Sequence, residues 1–174
     1  MSRLGAALAA SALLAAGALV AAPRAQAPPP AAEEWRSFAG AWSATGQRQA
    51  LPTESGRDAA IVQLSGSVVI TSGDGLSRGF RGEIIGFDDG RALAVGRWLW
   101  TDERGDRIFG EMRGEPVQTG RRFMGTITGG TGRYAGITGS YEFTWHSVVA
   151  AEDGVVQART VGLKGRYRRG KGQP

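Results

Sequence analysis

Cysteine is absent from the 174 residues, and histidine occurs once, as His146. Without cysteine the chain has no disulfide framework, no thiolate nucleophile and no zinc site of the cysteine type. A single histidine also excludes a multi-histidine metal site within one chain. We therefore expect neither a metal nor a cofactor. The length predicts one domain, and the 28 glycines and 7 prolines indicate many turns.

A basic folded body is also lacking, although the net charge is +5. The segment 33–163 carries 14 basic and 16 acidic residues, a net charge of −2. Because nucleic-acid binding needs a basic patch on the folded body, we predict no nucleic-acid partner. We interpret the basic C-terminus as a solvated end, with 169–174 as a tail. The alternative is that the C-terminus contacts anionic lipid or nucleic acid. The basic residues there are Lys164, Arg166, Arg168, Arg169 and Lys171.

The first 27 residues have the layout of a secretory signal peptide. Arg3 precedes an alanine- and leucine-rich run, and Ala25, Gln26 and Ala27 form an A-x-A site. We predict a periplasmic or secreted protein with no stable membrane span after cleavage. Pro28 disfavours cleavage directly after Ala27, and the run from 4 to 22 is long enough for a retained anchor. Residues 28–34 are interpreted as a Pro/Ala-rich linker.

Short alternating runs fill the remainder of the chain. β-branched and aromatic residues alternate with polar or small ones, and Gly- or Asp-containing breaks separate the runs. Eight strands joined by short hairpins predict an all-β domain over 35–168, an antiparallel up-and-down barrel or a sandwich. An eight-stranded barrel is either filled by side chains or holds one small ligand. The predicted strands are 36–48, 60–71, 78–87, 91–101, 106–113, 121–128, 137–149 and 155–168.

Several short segments match the residue pattern of a catalytic or nucleotide-binding motif but lack the structural context that the motif needs. The stretch GGTGRYAG at 129–136 fits a dinucleotide-binding pattern, but a strand and not a helix follows it. The sequence GLSRG at 75–79 resembles a hydrolase elbow, yet no α/β fold surrounds Ser77. His146 is interpreted as a polar strand residue, and general-base chemistry is its alternative. Asp88 with Asp89, and the acids of 102–106, are interpreted as turn residues.

The segment FMGTITGGTGRYAGITGSYEF at 123–143 resembles the region before the penultimate strand of the allene oxide cyclase and dirigent superfamily. The hairpin RWLWTDERGDRIFGEMRGE at 97–115 is also similar, and the resemblance is closest to exported bacterial members. It implies a calycin-like barrel with a mainly apolar lumen and cofactor-free chemistry guided by shape. Neither the cyclase's catalytic glutamate region nor the dirigents' acidic and arginine pocket set has a match here.

The aromatic residues are the predicted ligand-binding set. Alternation places Tyr141, Phe143 and Trp145 on one face, predicted to be inside with Trp98 and Trp100. Our first hypothesis is an exported barrel that binds a small apolar or amphipathic ligand, with a solid core as its alternative. The second is a cyclase or isomerase acting on a lipid-like or polyene substrate, with Glu83, Glu111 and Glu142 as candidate acids. Pairing with Arg81, Arg97 or Arg113 on the outer face is the alternative role of these acids. The third is a homo-oligomer formed through the outer face.

The glycine-rich stretch is given a structural role. Its glycines permit positive φ and close strand approach. Arg133 is expected to donate hydrogen bonds to carbonyl oxygens left free at the bend. Tyr134 is expected to plug a barrel end. The residues of this predicted structural motif are Gly130, Gly132, Arg133, Tyr134 and Gly136.

Overall fold

Eight antiparallel strands close into a barrel in the computed structural model, with every strand paired to its sequence neighbours and β8 paired to β1. The structure describes residues 34–54, 56–117 and 120–170. The predicted signal peptide and most of the predicted linker lie outside these residues. The strands are β1 Arg36–Pro52, β2 Asp58–Ser72, β3 Gly79–Asp88, β4 Ala94–Thr101, β5 Arg107–Pro116, β6 Arg121–Gly130, β7 Ile137–Ala150 and β8 Val155–Arg169.

The predicted all-β, up-and-down barrel is confirmed, and each of the eight predicted runs corresponds to one strand. Strand β1 extends four residues beyond its predicted end, to Pro52. Strand β4 begins three residues late, at Ala94, because Asp89 accepts hydrogen bonds from the backbone N–H groups of Arg91 and Leu93. These bonds make 89–93 a tight turn and not a strand.

Most of the basic residues near the C-terminus lie on a strand. Strand β8 continues to Arg169, so four of the five basic residues lie on it. The guanidinium groups of Arg166 and Arg168 lie over the Trp35 ring, 4.9 and 5.0 Å from its centroid. Arg169, the first residue of the predicted tail, is the last residue of β8 and pairs with Ile137 of β7. Residues 171–174 of that tail lie outside the described residues.

The core lies inside the barrel and follows the predicted alternation. Tyr141 and Phe143 are buried, and Trp145 packs against the same cluster. Several inward-facing glycines lie next to aromatic rings, so that an added Cβ would overlap the ring. Each ring occupies the space that a side chain at the glycine position would need. Glycines inside strands often mark such a close approach. The neighbours are Gly110 with Trp98, Gly125 with Tyr141, and Gly165 with Phe38.

Strand β4 is covered on its inner side only, although its sequence RALAVGRWLW is apolar on both faces and predicts a strand covered on both sides. Trp98 and Trp100 are buried, whereas Arg97 is exposed and pairs with Glu111 at 3.1 Å. The outer residues Val95 and Leu99 are half-buried. Their partial burial comes from neighbouring strands of the same sheet, because the described chain places no second layer there.

The glycine-rich stretch closes one end of the barrel. It forms a single-turn 3-10 helix, Gly132–Tyr134, with positive φ at Gly132 and Gly136. Tyr134 is fully buried there, and its hydroxyl accepts a hydrogen bond from the backbone N–H of Ser77. Burial raises the pKa of the Tyr134 hydroxyl to about 12.

Arg133 holds the closed end through carboxylates and not through carbonyls, which corrects the sequence expectation. Its guanidinium pairs with the buried Asp102 at 2.6 Å and with Glu103 at 2.8 Å. Burial opposes ionisation of Asp102, but hydrogen bonds from the Arg104 backbone and from Arg133 outweigh it and hold the pKa of Asp102 below 3.8. The loop 102–106 is thereby tied to the β6–β7 connection.

Candidate functional site

A cavity of about 270 Å³ lies inside the barrel at the end opposite Tyr134. It lies among the ends of β3 and β7 and the starts of β4, β6 and β8. The cavity is bounded mainly by inward-facing side chains that belong to the same apolar cluster as the core. Its apolar wall includes Trp42, Val62, Leu64, Ile84, Met112, Phe123, Phe143, Trp145, Val156 and Ala158.

Four aromatic rings form one continuous wall of the cavity. Trp42 meets Trp145 edge to face at 5.4 Å, and Trp145 meets Phe143 at 6.0 Å. Phe123 stacks on Phe143 at 5.4 Å between centroids. Packed aromatic rings lose little freedom when a ligand binds, and their faces favour other rings. The wall therefore suits a flat apolar group.

The mouth of the cavity carries three charged side chains, Arg48, Asp88 and Arg121. Nη2 of Arg121 lies 3.1 and 3.0 Å from the two carboxylate oxygens of Asp88. Nη1 of Arg121 is buried without a hydrogen-bond partner among the described residues. Alternation explains the position of Arg121, which precedes the inward-facing Phe123 by two residues.

The predicted ligand-binding residues divide between the cavity and the core. Phe143 and Trp145 line the cavity, whereas Trp98, Trp100 and Tyr141 do not. These three rings fill the barrel between the cavity and the closed end. Nε1 of Trp98 donates to the Tyr141 hydroxyl, which in turn donates to the Glu111 carbonyl oxygen at 3.0 Å. Burial raises the pKa of the Tyr141 hydroxyl well above its usual range.

The three candidate acids lie on the outer face, which agrees with the alternative of outer-face ion pairs and not with a catalytic role in the lumen. Glu83 pairs with Arg81 at 2.9 Å, and Glu111 pairs with Arg97. Glu142 pairs with Arg122 and Lys164, and hydrogen bonds from these two cations lower its pKa. Strand alternation gives the reason, because each acid is flanked in sequence by inward-facing residues.

Of the remaining motif residues, Ser77 and His146 lie away from the cavity, whereas Asp88 lines it. The Ser77 hydroxyl donates to Glu103 at the closed end. His146 is half-buried and does not line the cavity. Asp88 accepts from the Gly90 backbone, as a turn residue does, but it also binds Arg121. In the described ranges, no group of three or more His, Cys, Asp or Glu side chains is placed to hold a metal ion.

Sequence reasoning missed three main residues of the site: Trp42, Asp88 and Arg121. Trp42 could have been placed inside the barrel from the sequence, because it is two residues from Ala44 on the same face of β1. Arg121 shares the parity of Phe123 in β6, so the pattern was sufficient to place it inside. The ion pair with Asp88 has no local signal, since the two residues are 33 positions apart.

Comparison with protein-family models, with curated proteins and with solved structures finds no match to this chain. Kinship to the allene oxide cyclase and dirigent superfamily therefore stays a prediction based on residues 97–143. No helix within the part of the chain that the structure describes is long and apolar enough to cross a membrane.

Proposed function

We propose that this chain is an exported small-molecule-binding barrel, and that it holds a ligand with an apolar body in the cavity opposite Tyr134. The observation that carries the proposal is the cavity of about 270 Å³ with four aromatic rings in its wall. Ligand sites are usually concave and mostly apolar, with a few placed polar groups. The cavity follows this pattern, with Arg48, Asp88 and Arg121 as its polar groups.

Packing within the barrel supports binding at this end only. Beyond the cavity, Trp98 and Trp100 approach to 4.6 Å, and Tyr141 contacts Trp98 at 5.4 Å. Rings packed at these distances leave no room for a ligand, so this part of the barrel is solid core. The proposal therefore combines both hypotheses about the lumen. One half of the barrel is solid core, and the other half contains the ligand site.

Binding without catalysis is favoured over the cyclase or isomerase alternative. Asp88 is the one carboxylate among the residues around the cavity, and its oxygens already accept from Arg121 and from the Gly90 backbone. It is thus positioned to hold a guanidinium and not to accept a proton from a substrate. The predicted export and superfamily membership remain parts of this proposal.

Calorimetric titration with a neutral aromatic probe, 2-naphthamide, tests the proposal. We expect saturable one-to-one binding that is lost in Ala158→Phe, because Ala158 is buried at the cavity wall. The matched control is Ala41→Phe, which adds the same ring to an exposed position of β1. Equal binding by both variants would contradict the proposal, and so would an unmodified chain that binds neither 2-naphthamide nor its carboxylate counterpart 2-naphthoate, provided that both variants melt cooperatively.

A homo-oligomer is the second candidate, and an apolar patch on the outer face favours it. Ile61 of β2 lies directly opposite Phe87 of β3, which lies opposite Val95 of β4. Ile61 and Phe87 are 60% and 44% exposed, and Ile85 beside them is 61% exposed. Sedimentation analysis at high concentration tests it: a dimer that Phe87→Ser dissociates supports the oligomer, and a monomer throughout rules it out.

A further inference from the structure

We infer that the ligand of the cavity opposite Tyr134 is a compact aromatic carboxylate, whose charged group binds between Arg48 and Arg121 at the mouth of the cavity. This inference rests on the proposed function and adds the class of ligand. Three observations carry it: the charge of the cavity lining, the geometry of Arg121, and the depth of the cavity.

The lining has an excess of positive charge. Arg48 and Arg121 line the cavity together with one carboxylate, that of Asp88. The Arg48 side chain has no ion-pair partner among the described residues, although its backbone N–H donates to the Gly154 carbonyl oxygen at 2.8 Å. The strand is thus fixed while the guanidinium is uncompensated. A half-buried cation without a partner favours an anionic ligand, because partial burial weakens solvent screening.

Arg121 presents one used and one unused half of its guanidinium. Nη2 binds both oxygens of Asp88, whereas Nη1 is buried without a partner. A guanidinium has five N–H donors in a planar fork that matches carboxylates. Asp88 therefore fixes the plane of the fork and leaves Nη1 without an acceptor; because Nη1 is buried, a ligand carboxylate reaches it only by displacing the side chains that cover it. Arg121 also lies opposite Trp145 in the sheet, so a carboxylate on Nη1 would adjoin the aromatic wall.

The depth of the cavity limits the apolar part of the ligand. Going inward along β7, Phe143 lines the cavity, and the next inward residue, Tyr141, already belongs to the solid core. At ~30 Å³ per water molecule, the cavity of about 270 Å³ has the volume of roughly nine waters. One or two fused rings fit this space, whereas a long acyl chain would have to remain outside the barrel.

Paired probes that differ only in charge test the inference on the full chain. Calorimetry compares 2-naphthoate with the neutral 2-naphthamide, and palmitate serves as the long-chain comparison. We expect the carboxylate to bind at least tenfold more tightly than the amide, which corresponds to about 1.4 kcal/mol. Palmitate is expected to bind more weakly than 2-naphthoate.

Three variants locate the preference. Arg48→Gln, and the neutral pair Asp88→Asn with Arg121→Gln, are each expected to bring the two affinities within about threefold of each other. The double variant avoids leaving Asp88 without its cation. Arg97→Gln is the control, because it removes an arginine of the same kind from the outer face, and it should keep the tenfold preference.

The possible failures are distinguishable. If neither naphthyl probe binds, both the proposed function and this inference are overturned. If 2-naphthoate and 2-naphthamide bind equally, or if Arg97→Gln removes the preference as Arg48→Gln does, the carboxylate inference is wrong while the ligand-binding function stands. Tighter binding of palmitate than of 2-naphthoate overturns the inference that the ligand is compact.

Discussion

Replacing Gly110 with alanine should strongly destabilise the barrel, because the new methyl group has no space. An ideal Cβ at Gly110 would lie 2.2 and 2.3 Å from Cζ2 and Cε2 of Trp98, and 2.7 Å from the carbonyl oxygen of Thr126. Carbon atoms in contact are normally about 3.5–4.0 Å apart. The overlap therefore exceeds 1 Å with one ring and also involves fixed backbone.

Trp98 cannot easily move away from the added methyl group. Its indole N–H donates to the Tyr141 hydroxyl, and its ring packs against Trp100 at 4.6 Å. Overpacking a close-packed core costs about 1–3 kcal/mol, and we expect Gly110→Ala to reach about 3 kcal/mol because both ring and backbone obstruct the methyl group. Urea unfolding followed by tryptophan fluorescence measures this loss.

Gly79→Ala is the matched control for this experiment. Gly79 is also in a strand, yet an added Cβ there meets no atom within 4 Å and its φ is not positive. We expect no loss, or a gain of about 0.4–1 kcal/mol from the smaller entropy of the unfolded chain. A Gly110→Ala variant as stable as Gly79→Ala would refute the argument that rings and inward-facing glycines are complementary.

Three further outcomes test the closed end, the core and the cavity wall. The pKa of Asp102 is depressed in the folded state, so its contribution to the free energy of unfolding is present above about pH 4 and is lost as the pH falls. Asp102→Asn removes the ion pair with Arg133 and should lower the free energy of unfolding by about 1–3 kcal/mol at pH 7. The variant should also lose less stability than the unmodified chain between pH 7 and 2, as measured by urea unfolding. Thr160→Val removes the hydroxyl that accepts from the buried backbone N–H of Trp42 at 2.8 Å and should cost about 1–3 kcal/mol, seen as a lower urea midpoint. Phe143→Ala should cost nearer the lower end of the usual 3–5 kcal/mol, because one side of the ring already borders the cavity, and should also weaken 2-naphthamide binding in calorimetry.

Alternation along the strands was sufficient to predict the inward-facing rings. Tyr141 and Phe143 are inside because a period of two is enforced by the pleat, and a shift of one residue would turn Glu142 into the core. The same rule places Glu83 and Glu111 outside. These two acids are next to Ile84 and Met112, which are buried, so the parity of their neighbours already excludes them from the lumen.

Height along the barrel axis could not be predicted from one sequence. Trp98 and Phe143 are both inward-facing, but only Phe143 reaches the cavity, because strand stagger sets the level of each residue. Stagger depends on how strands far apart in sequence are paired around a closed barrel. For the same reason the ion pair of Asp88 with Arg121, and that of Asp102 with Arg133, emerge only when the sheet closes.

Anomalous diffraction from crystals soaked with 6-bromo-2-naphthamide tests the central claim most directly, since bromine marks the position of the probe. The account predicts one bromine peak inside the barrel, bounded by the rings of Trp42, Phe143 and Trp145, on the side of the core away from Tyr134. A peak on the outer face beside Ile61 and Phe87, with none inside the barrel, would contradict it.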